Sequence, residues 1–253
     1  MSDTKYNFGL ALSGGGARGF AHAGAIKAIE DAGHKPEIIS GTSAGALAAV
    51  LYADGYTPEE ITQLFVGKNF KEFAELMVPT AGVFGMDGFS RFLKKHLRKK
   101  NFEDLEIPVK IVATNLDEGK SHVFDKGPLL EPLMASCSIP IVFKPVEIEG
   151  VHYVDGGIFM NFPVSIIRKE CDKVIGINVS PMVSRKYNQT IMQIAERSYH
   201  YMSRTNTLLD RSLCDVLIEI EDLIEFKTFD LKNALNIFEI GYQYGKKALD
   251  ENT

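Results

Sequence analysis

The stretch LALSGGGARGFAHAG, Leu10 to Gly24, constrains this chain more than any other. Apolar residues run into three glycines, then an arginine, then residues with helical spacing. This is the pattern of a buried strand that turns through a glycine loop into a helix. The first N–H groups of such a helix have no backbone partner, and its dipole adds positive potential. A negative charge is therefore favoured at the loop. The spacing Gly14-x-Gly16-x-x-Gly19 also fits the dinucleotide fingerprint. On this stretch alone, a standing pyrophosphate and a transient oxyanion are both suitable occupants.

The rest of the chain supplies a sheet for that loop to sit on. Phe8 to Leu12 reads as a buried strand and Arg18 to Ala32 as a helix, with Ala25, Ile26, Ile29 and Ala32 on one face and Gly33 as its stop. Glu37 to Ser40 is a second strand. Ala44 to Ala53 is a helix that is apolar all round, hence buried. Thr57 to Val66 opens with a capping box, Thr57-x-x-Glu60. Helices over Asp87 to Lys100 and Leu129 to Ser136 alternate with strands at Val109 to Asn115, Val151 to Val154, Lys173 to Asn178 and Val216 to Ile220. Two C-terminal helices carry apolar stripes, Ile191, Ile194, Ala195, Met202 and Leu209, then Leu231, Leu235, Phe238, Tyr242 and Leu249. This alternation predicts an α/β fold, a mostly parallel sheet between two layers of helices. No linker divides the chain, so residues 1–253 are expected to form one domain.

The second strand leads into GTSAG, Gly41 to Gly45. A G-x-S-x-G between strand and helix is the setting of a nucleophile elbow, with Ser43 at the tip and small residues at Gly41 and Gly45 allowing close approach. A dinucleotide site would place an acidic residue at the far end of this strand to hold a ribose. Glu37 has the right separation from the glycines but sits at the strand's start, and the far end holds the serine. A serine nucleophile needs a base. None of the six histidines has a sequence context that marks it as one: His152 reads as a strand histidine, and His22 as a residue packed near the glycine loop. Asp155 ends a strand and precedes Gly156 and Gly157. On spacing alone it is either a turn residue or a functional carboxylate.

Bulk properties narrow the classes of function. The 253 residues are 45% hydrophobic and 24% charged, with a net charge of −5, and no basic stripe with interleaved aromatics argues for nucleic acid. Cys137, Cys171 and Cys214 are far apart and read as reduced thiols. The first twelve residues lack the pattern of a signal peptide, and no apolar run is long enough to cross a bilayer. A cytoplasmic location follows as the expectation, with peripheral contact at a membrane surface as an addition to it. That addition rests on the helix from Asp87, where Arg91, Lys94, Lys95, Arg98, Lys99 and Lys100 flank Phe89, Phe92, Leu93 and Leu97. The apolar stretch before it, Leu76 to Met86, reads as a flap.

SGGGARG from Ser13 to Gly19, GTSAG around Ser43 and DGG from Asp155 to Gly157, in this order, resemble the patatin-like phospholipases. The match is closest to the compact bacterial branch and the catalytic domain of the neuropathy-target-esterase group. ATNLDEGK from Ala113, ASCSIPIVFKPV from Ala135 and NFPV from Asn161 support it, and it covers about Asn7 to Ser180. The resemblance implies a three-layer α/β/α sandwich and a Ser–Asp dyad without a histidine. Ser43 would be the nucleophile and Asp155 the base. Gly15 and Gly16 would supply oxyanion N–H groups, Gly14 would shape the loop, and Arg18 would be its fixed positive charge. Arg18 has a rival role, pairing with a structural carboxylate, and Asn161 is expected to shape the turn after Asp155.

No cofactor or metal is expected, and the substrate would be a lipid or another acyl ester. Three readings stand: a lipid acyl hydrolase, a carboxylesterase or thioesterase on soluble acyl groups, and a nucleotide-binding or catalytically idle regulatory protein. The ordinary aspartate pKa, about 3.9, suits a serine hydroxyl poorly. A dyad must therefore depend on burial of the carboxylate and strong oxyanion stabilisation.

Overall fold

The computed structural model describes residues 4–73, 75–76, 84–180 and 190–251. Its strands are β1 (Tyr6–Leu12), β2 (Ile38–Thr42), β3 (Glu75–Leu76), β4 (Phe84–Gly85), β5 (Val109–Asn115), β6 (Lys120–Phe124), β7 (Val146–Ile148), β8 (Val151–Asp155), β9 (Cys171–Asn178) and β10 (Val216–Glu219). Its helices are α1 (Phe20–Asp31), α2 (Ala44–Ala53), α3 (Pro58–Gln63), α4 (Asp87–His96), α5 (Leu130–Ser136), α6 (Ser165–Arg168), α7 (Ile191–Thr205), α8 (Thr207–Arg211) and α9 (Ala234–Asp250).

The main sheet has the order β10-β9-β1-β2-β5-β8-β7, and β6 also pairs with β5. The five strands from β10 to β5 are mutually parallel, while β6, β7 and β8 add antiparallel pairs. The expected mostly parallel α/β sheet is thus present, extended by an antiparallel end. The central strands read as unbroken apolar runs because both faces are covered: Leu10, Ala11, Leu12 and Ile39 are fully buried.

One strand organises the site. On one edge of β5, β2 runs parallel as far as the pair Thr42–Val112. The next residue on that edge, Ala113, pairs with Asp155 of the antiparallel β8. The end of one strand and the end of another thus meet at adjacent positions on a shared edge. Ser43 follows Thr42, so 112 residues of sequence separation close into immediate proximity. Gly156 permits the junction, since a Cβ there would lie 2.4 Å from the Val112 carbonyl oxygen.

Helix limits differ from expectation where tertiary partners intervene. The predicted helix from Arg18 begins as a 3-10 turn, Gly16–Gly19, and becomes α1 only at Phe20. The helix from Asp87 stops at His96, short of Lys100, because Leu97 turns extended and the N–H groups of Arg98 and Lys99 donate to the Asp54 carboxylate at 2.7 and 2.8 Å. The capping box on α3 forms as expected: Glu60 N–H donates to Thr57 Oγ1 and Thr57 N–H to Glu60 Oε2.

The C-terminal helices correct the stripe reading. On α7 and α8 the residues Ile194, Met202 and Leu209 point to solvent, Leu209 with 83% exposure, while Tyr199, Ser203, Thr207 and Asp210 are buried. From Tyr199 onward the inward residues are mostly polar, and Tyr199 and Asn206 bond to Asp155 and the turn after it; Ile191 and Ala195 of the stripe lie outside the residues whose side chains are described. The second stripe holds in part: Leu231, Phe238 and Leu249 pack against the core, Leu235 is exposed, and Ala234, Ile237, Gly241 and Gly245 of α9 face inward. There α9 meets α1 at backbone distance: a Cβ on Gly241 would stand 2.2 Å from the Ala21 carbonyl oxygen. Of the predicted flap, residues 77–83 lie outside the described residues. Its flanks pair as β3 with β4, and the Phe84 N–H donates to the Val142 carbonyl.

Candidate active site

Ser43 sits between β2 and α2 with φ 54° and ψ −120°. A non-glycine residue in this region carries about 1–3 kcal/mol of strain, which surrounding contacts must offset. Ser136 supplies one: its Oγ accepts from Ser43 N–H at 2.8 Å and donates to the Val112 carbonyl at 2.7 Å. The glycines of the elbow provide the room. A Cβ on Gly41 would lie 2.6 Å from the Ala46 nitrogen, and one on Gly45 would lie 2.3 Å from the Leu12 carbonyl oxygen.

Asp155 ends β8 with 1% exposure. Its Oδ1 accepts from Tyr199 Oη at 2.7 Å and from Gly157 N–H at 2.9 Å. Its Oδ2 makes no hydrogen bond of normal geometry. The Ser43 hydroxyl is nevertheless close enough to favour the charged carboxylate. The two side chains are therefore adjacent but not closed, and among the described residues Oδ2 is the carboxylate oxygen without a partner. Burial pushes the Asp155 pKa up to about 6, against the opposing effects of Ser43, Tyr199 and Gly157. The mismatch with a serine hydroxyl is thereby reduced.

The glycine loop lies beside this pair. Gly14 N–H donates to the Asn161 carbonyl at 2.9 Å, and Ala17 N–H to the Thr228 carbonyl at 2.7 Å. Between them, no described residue accepts from the N–H of Gly15 or Gly16. Gly16 has φ +59°, and a Cβ there would meet the Thr228 carbonyl oxygen at 2.4 Å. Arg18, expected as a charge facing an oxyanion or phosphate, is buried and donates through Nε to the Gly15 carbonyl at 3.2 Å. It braces the loop and holds that carbonyl turned towards itself. His22 Nε2 lies 2.7 Å from the Ser13 carbonyl, and its burial lowers its pKa to about 4, so the neutral ring supports the loop.

Glu37 and His152, which the sequence places outside the catalytic roles, lie away from the site. His152 is at the surface, its backbone N–H donating to Asp117 and its ring 3.3 Å from the same carboxylate. Glu37 accepts from the Asn7 backbone and side chain at the opposite end of β2. A ribose has no acidic partner where the fingerprint needs one. Asn161 does shape the turn: its carbonyl accepts from Gly14, and its N–H donates to Asn206 Oδ1 at 2.9 Å.

Two cavities meet at Ser43. The larger is apolar, encloses about 900 Å³ of free space including its open mouth, and is lined by Leu47, Phe65, Phe73, Phe89 and Phe143 among others. The smaller encloses about 250 Å³ of free space including its opening, and Asp155, Asn161, Ser180, Tyr199 and His200 are among the residues lining it. Gly16, Ser43, Ile139 and Thr228 border both.

A strained serine, an adjacent buried carboxylate and two unengaged glycine amides, on an α/β sandwich, are the equipment of a serine-type hydrolase. The patatin-like phospholipase model matches residues 10–167, and the chain belongs to that family. An uncharacterized protein of Acanthamoeba polyphaga mimivirus is 29% identical, across 95% of this chain and 93% of its own length. Lysophospholipase NTE1 of Kluyveromyces lactis is also 29% identical, across 94% of this chain. Patatin-like phospholipase domain-containing protein 6 of Homo sapiens is 26% identical across 94% of it. This chain spans only 19% and 20% of those two longer relatives. Among solved structures, VipD from Legionella pneumophila superposes with a TM-score of 0.63 at 15% identity, over 99% of this chain and 68% of that one. This confirms the fold.

Tyr199, Ser136 and Asn206 are the site residues that sequence reasoning missed. Ser136 lies inside ASCSIP, which carried the resemblance without an assigned role. Tyr199 and Asn206 lie beyond the last motif, and their only sequence signal was a polar helix face opposite an apolar one.

Proposed function

We propose that this protein is a serine acyl hydrolase that cleaves carboxylic esters of single-chain lipids, lysophospholipids foremost. The observation that carries the reading is Ser43 strained against the open oxygen of Asp155, at the junction of an apolar cavity and a smaller one. The acyl chain occupies the apolar cavity. A single apolar cavity suits a substrate with one chain, and one of the similar proteins is named a lysophospholipase.

Ser43 Oγ attacks the ester carbonyl while Asp155 Oδ2 takes its proton. The developing oxyanion accepts from the N–H groups of Gly15 and Gly16. A single such donor contributes about 2.7–4 kcal/mol to the transition state, so two of them offset a weak carboxylate base. Collapse of the intermediate returns the proton from Asp155 to the leaving alcohol. Water, deprotonated by Asp155, then attacks the acyl-enzyme, and Ser43 leaves with that proton.

The test is covalent labelling by a fluorophosphonate, mapped by peptide mass, with turnover measured on lysophospholipids, diacyl phospholipids and short soluble esters. Label at Ser43 and preferred turnover of lysophospholipids support the reading. Label at another serine removes it, and preference for short soluble esters moves the protein to the carboxylesterase class. Ser43→Ala and Asp155→Asn each lower turnover by at least about 10³-fold with an unchanged fold. The exposed cations of α4, Lys94 and Lys95 among them, offer contact with an anionic surface. Presenting substrate in anionic and neutral vesicles reads this in the same assay.

A further inference from the structure

From Tyr199 onward, the described inward residues of α7 and α8 are mostly polar. Burying Tyr199, Ser203, Thr207 and Asp210 in place of the apolar residues on the same helices sacrifices hydrophobic stabilisation, which natural sequences do mainly at functional sites. Ser203 and Thr207 donate to the nearby carbonyls of His200 and Arg204 at 3.0 and 2.8 Å, whereas Tyr199 and Asn206 reach the end of β8 and the turn after it. Tyr199 Oη reaches Asp155 Oδ1 at 2.7 Å. Asn206, at the break between α7 and α8, donates through Nδ2 to the carbonyls of Gly157 and Ile158 at 2.9 and 3.0 Å. Its Oδ1 accepts from Asn161 N–H. Asp210 accepts from the Ser165 N–H. The second glycine after Asp155 makes room for this arrangement, since a Cβ on Gly157 would stand 2.3 Å from Tyr199 Oη.

We propose that Tyr199 is a positioning residue for the catalytic aspartate: its hydroxyl pins Asp155 Oδ1, so that Oδ2 is presented to Ser43. The proposal rests on the reading of Ser43 and Asp155 as nucleophile and base. In a triad, a third group orients the base. Here the base is itself a carboxylate, and a neutral phenol from the C-terminal helix takes the orienting place. A phenol suits this role because it donates to the charged carboxylate without neutralising it. It also forbids rotation about the Asp155 side-chain bond, since Oδ1 is held by two donors that converge from α7 and from Gly157.

The groups facing Asp155 allow a clean test. The ionisable ones are Tyr199 on α7 and Cys137 at the end of α5, and burial pushes both well above their ordinary values. Ser43 and the Gly157 N–H complete its partners. His200, which lines the same cavity, lies with Nε2 2.9 Å from Thr228 Oγ1.

The acidic limb of kcat/KM therefore reports Asp155. Removing a donor to its charged form raises its pKa. Tyr199→Phe is expected to move that limb to higher pH by about one unit, to lower kcat at least tenfold, and to leave KM within about twofold. A limb at the wild-type position with unchanged kcat overturns the proposal. Site-specific replacement of Tyr199 by 3,5-difluorotyrosine keeps the shape and strengthens the donor, so the limb moves to lower pH. A purely structural tyrosine gives no such opposite shifts, and this second protein serves should the phenylalanine variant not fold. Failure of the underlying reading looks different: Ser43 is then unlabelled in the wild type, or Asp155→Asn remains active.

Discussion

Asp155 shows at the residue scale how a site acts against its own fold. Its carboxyl ionises at about 6 instead of the ordinary 3.8 because it is buried. Between about pH 4 and pH 6 the folded protein holds a proton that the unfolded chain has lost, so stability falls as pH rises through this window. Above pH 6 the full cost is present, on the order of 3 kcal/mol at about 1.36 kcal/mol per pH unit. Asn at this position keeps an acceptor for Tyr199 and Gly157 but carries no charge. Asp155→Asn is therefore expected to raise Tm at pH 8 while abolishing turnover, with the gain shrinking to nothing below pH 4. Calorimetry at four pH values checks this, and a Tm difference independent of pH would show that ionisation of Asp155 is not the cause.

Contacts between elements depend on glycine in a way that single-residue propensity misreads. Gly241 lies inside α9, where alanine is ordinarily about 1 kcal/mol better. The sign reverses here because α9 crosses α1 at backbone distance, and a Cβ on Gly241 meets Ala21 backbone atoms at 2.2 and 2.6 Å. Gly241→Ala is expected to destabilise by about 1–3 kcal/mol, read as a lower denaturant midpoint. The same measurement on Gly33→Ala, at φ +81° with nothing near its added Cβ, separates backbone strain from packing. The α7 and α8 pair teaches the converse lesson. Ile194, Met202 and Leu209 obey helical spacing yet face outward, while Tyr199 and Asn206 bond to the end of β8 and the turn after it.

Across the whole molecule, the sheet places the proposed pair Ser43 and Asp155, and the helices around it set what lies within their reach. The apolar cavity ends in a cluster of phenylalanines: Phe65 and Phe92 lie 4.8 Å apart between ring centroids, Phe73 and Phe92 5.2 Å, and Phe89 packs against both Phe73 and Phe92. These rings come from α4 and from the segment after α3, so the depth available to an acyl chain depends on helix packing and not on the catalytic motifs. Phe89→Leu is expected to shift the preferred acyl length upward, read from relative kcat/KM over a series of monoacyl esters. An unchanged preference would place the chain elsewhere.

The sequence by itself determined the strand-glycine-helix opening, the serine elbow, the α/β alternation and the candidate pair Ser43 and Asp155. These are legible because each depends on local chemistry: glycine where a Cβ would clash, a small-residue turn around an exposed hydroxyl, an aspartate at a strand end. Tertiary structure alone decided which partners complete them. The adjacency of Ser43 and Asp155 comes from the register of β2 and β8 on a shared edge of β5. The support of Ser136 and the bond from Tyr199 to Asp155 join residues far apart in the chain. No local pattern encodes such contacts, because they arise only when the sheet brings distant backbone segments within hydrogen-bond reach.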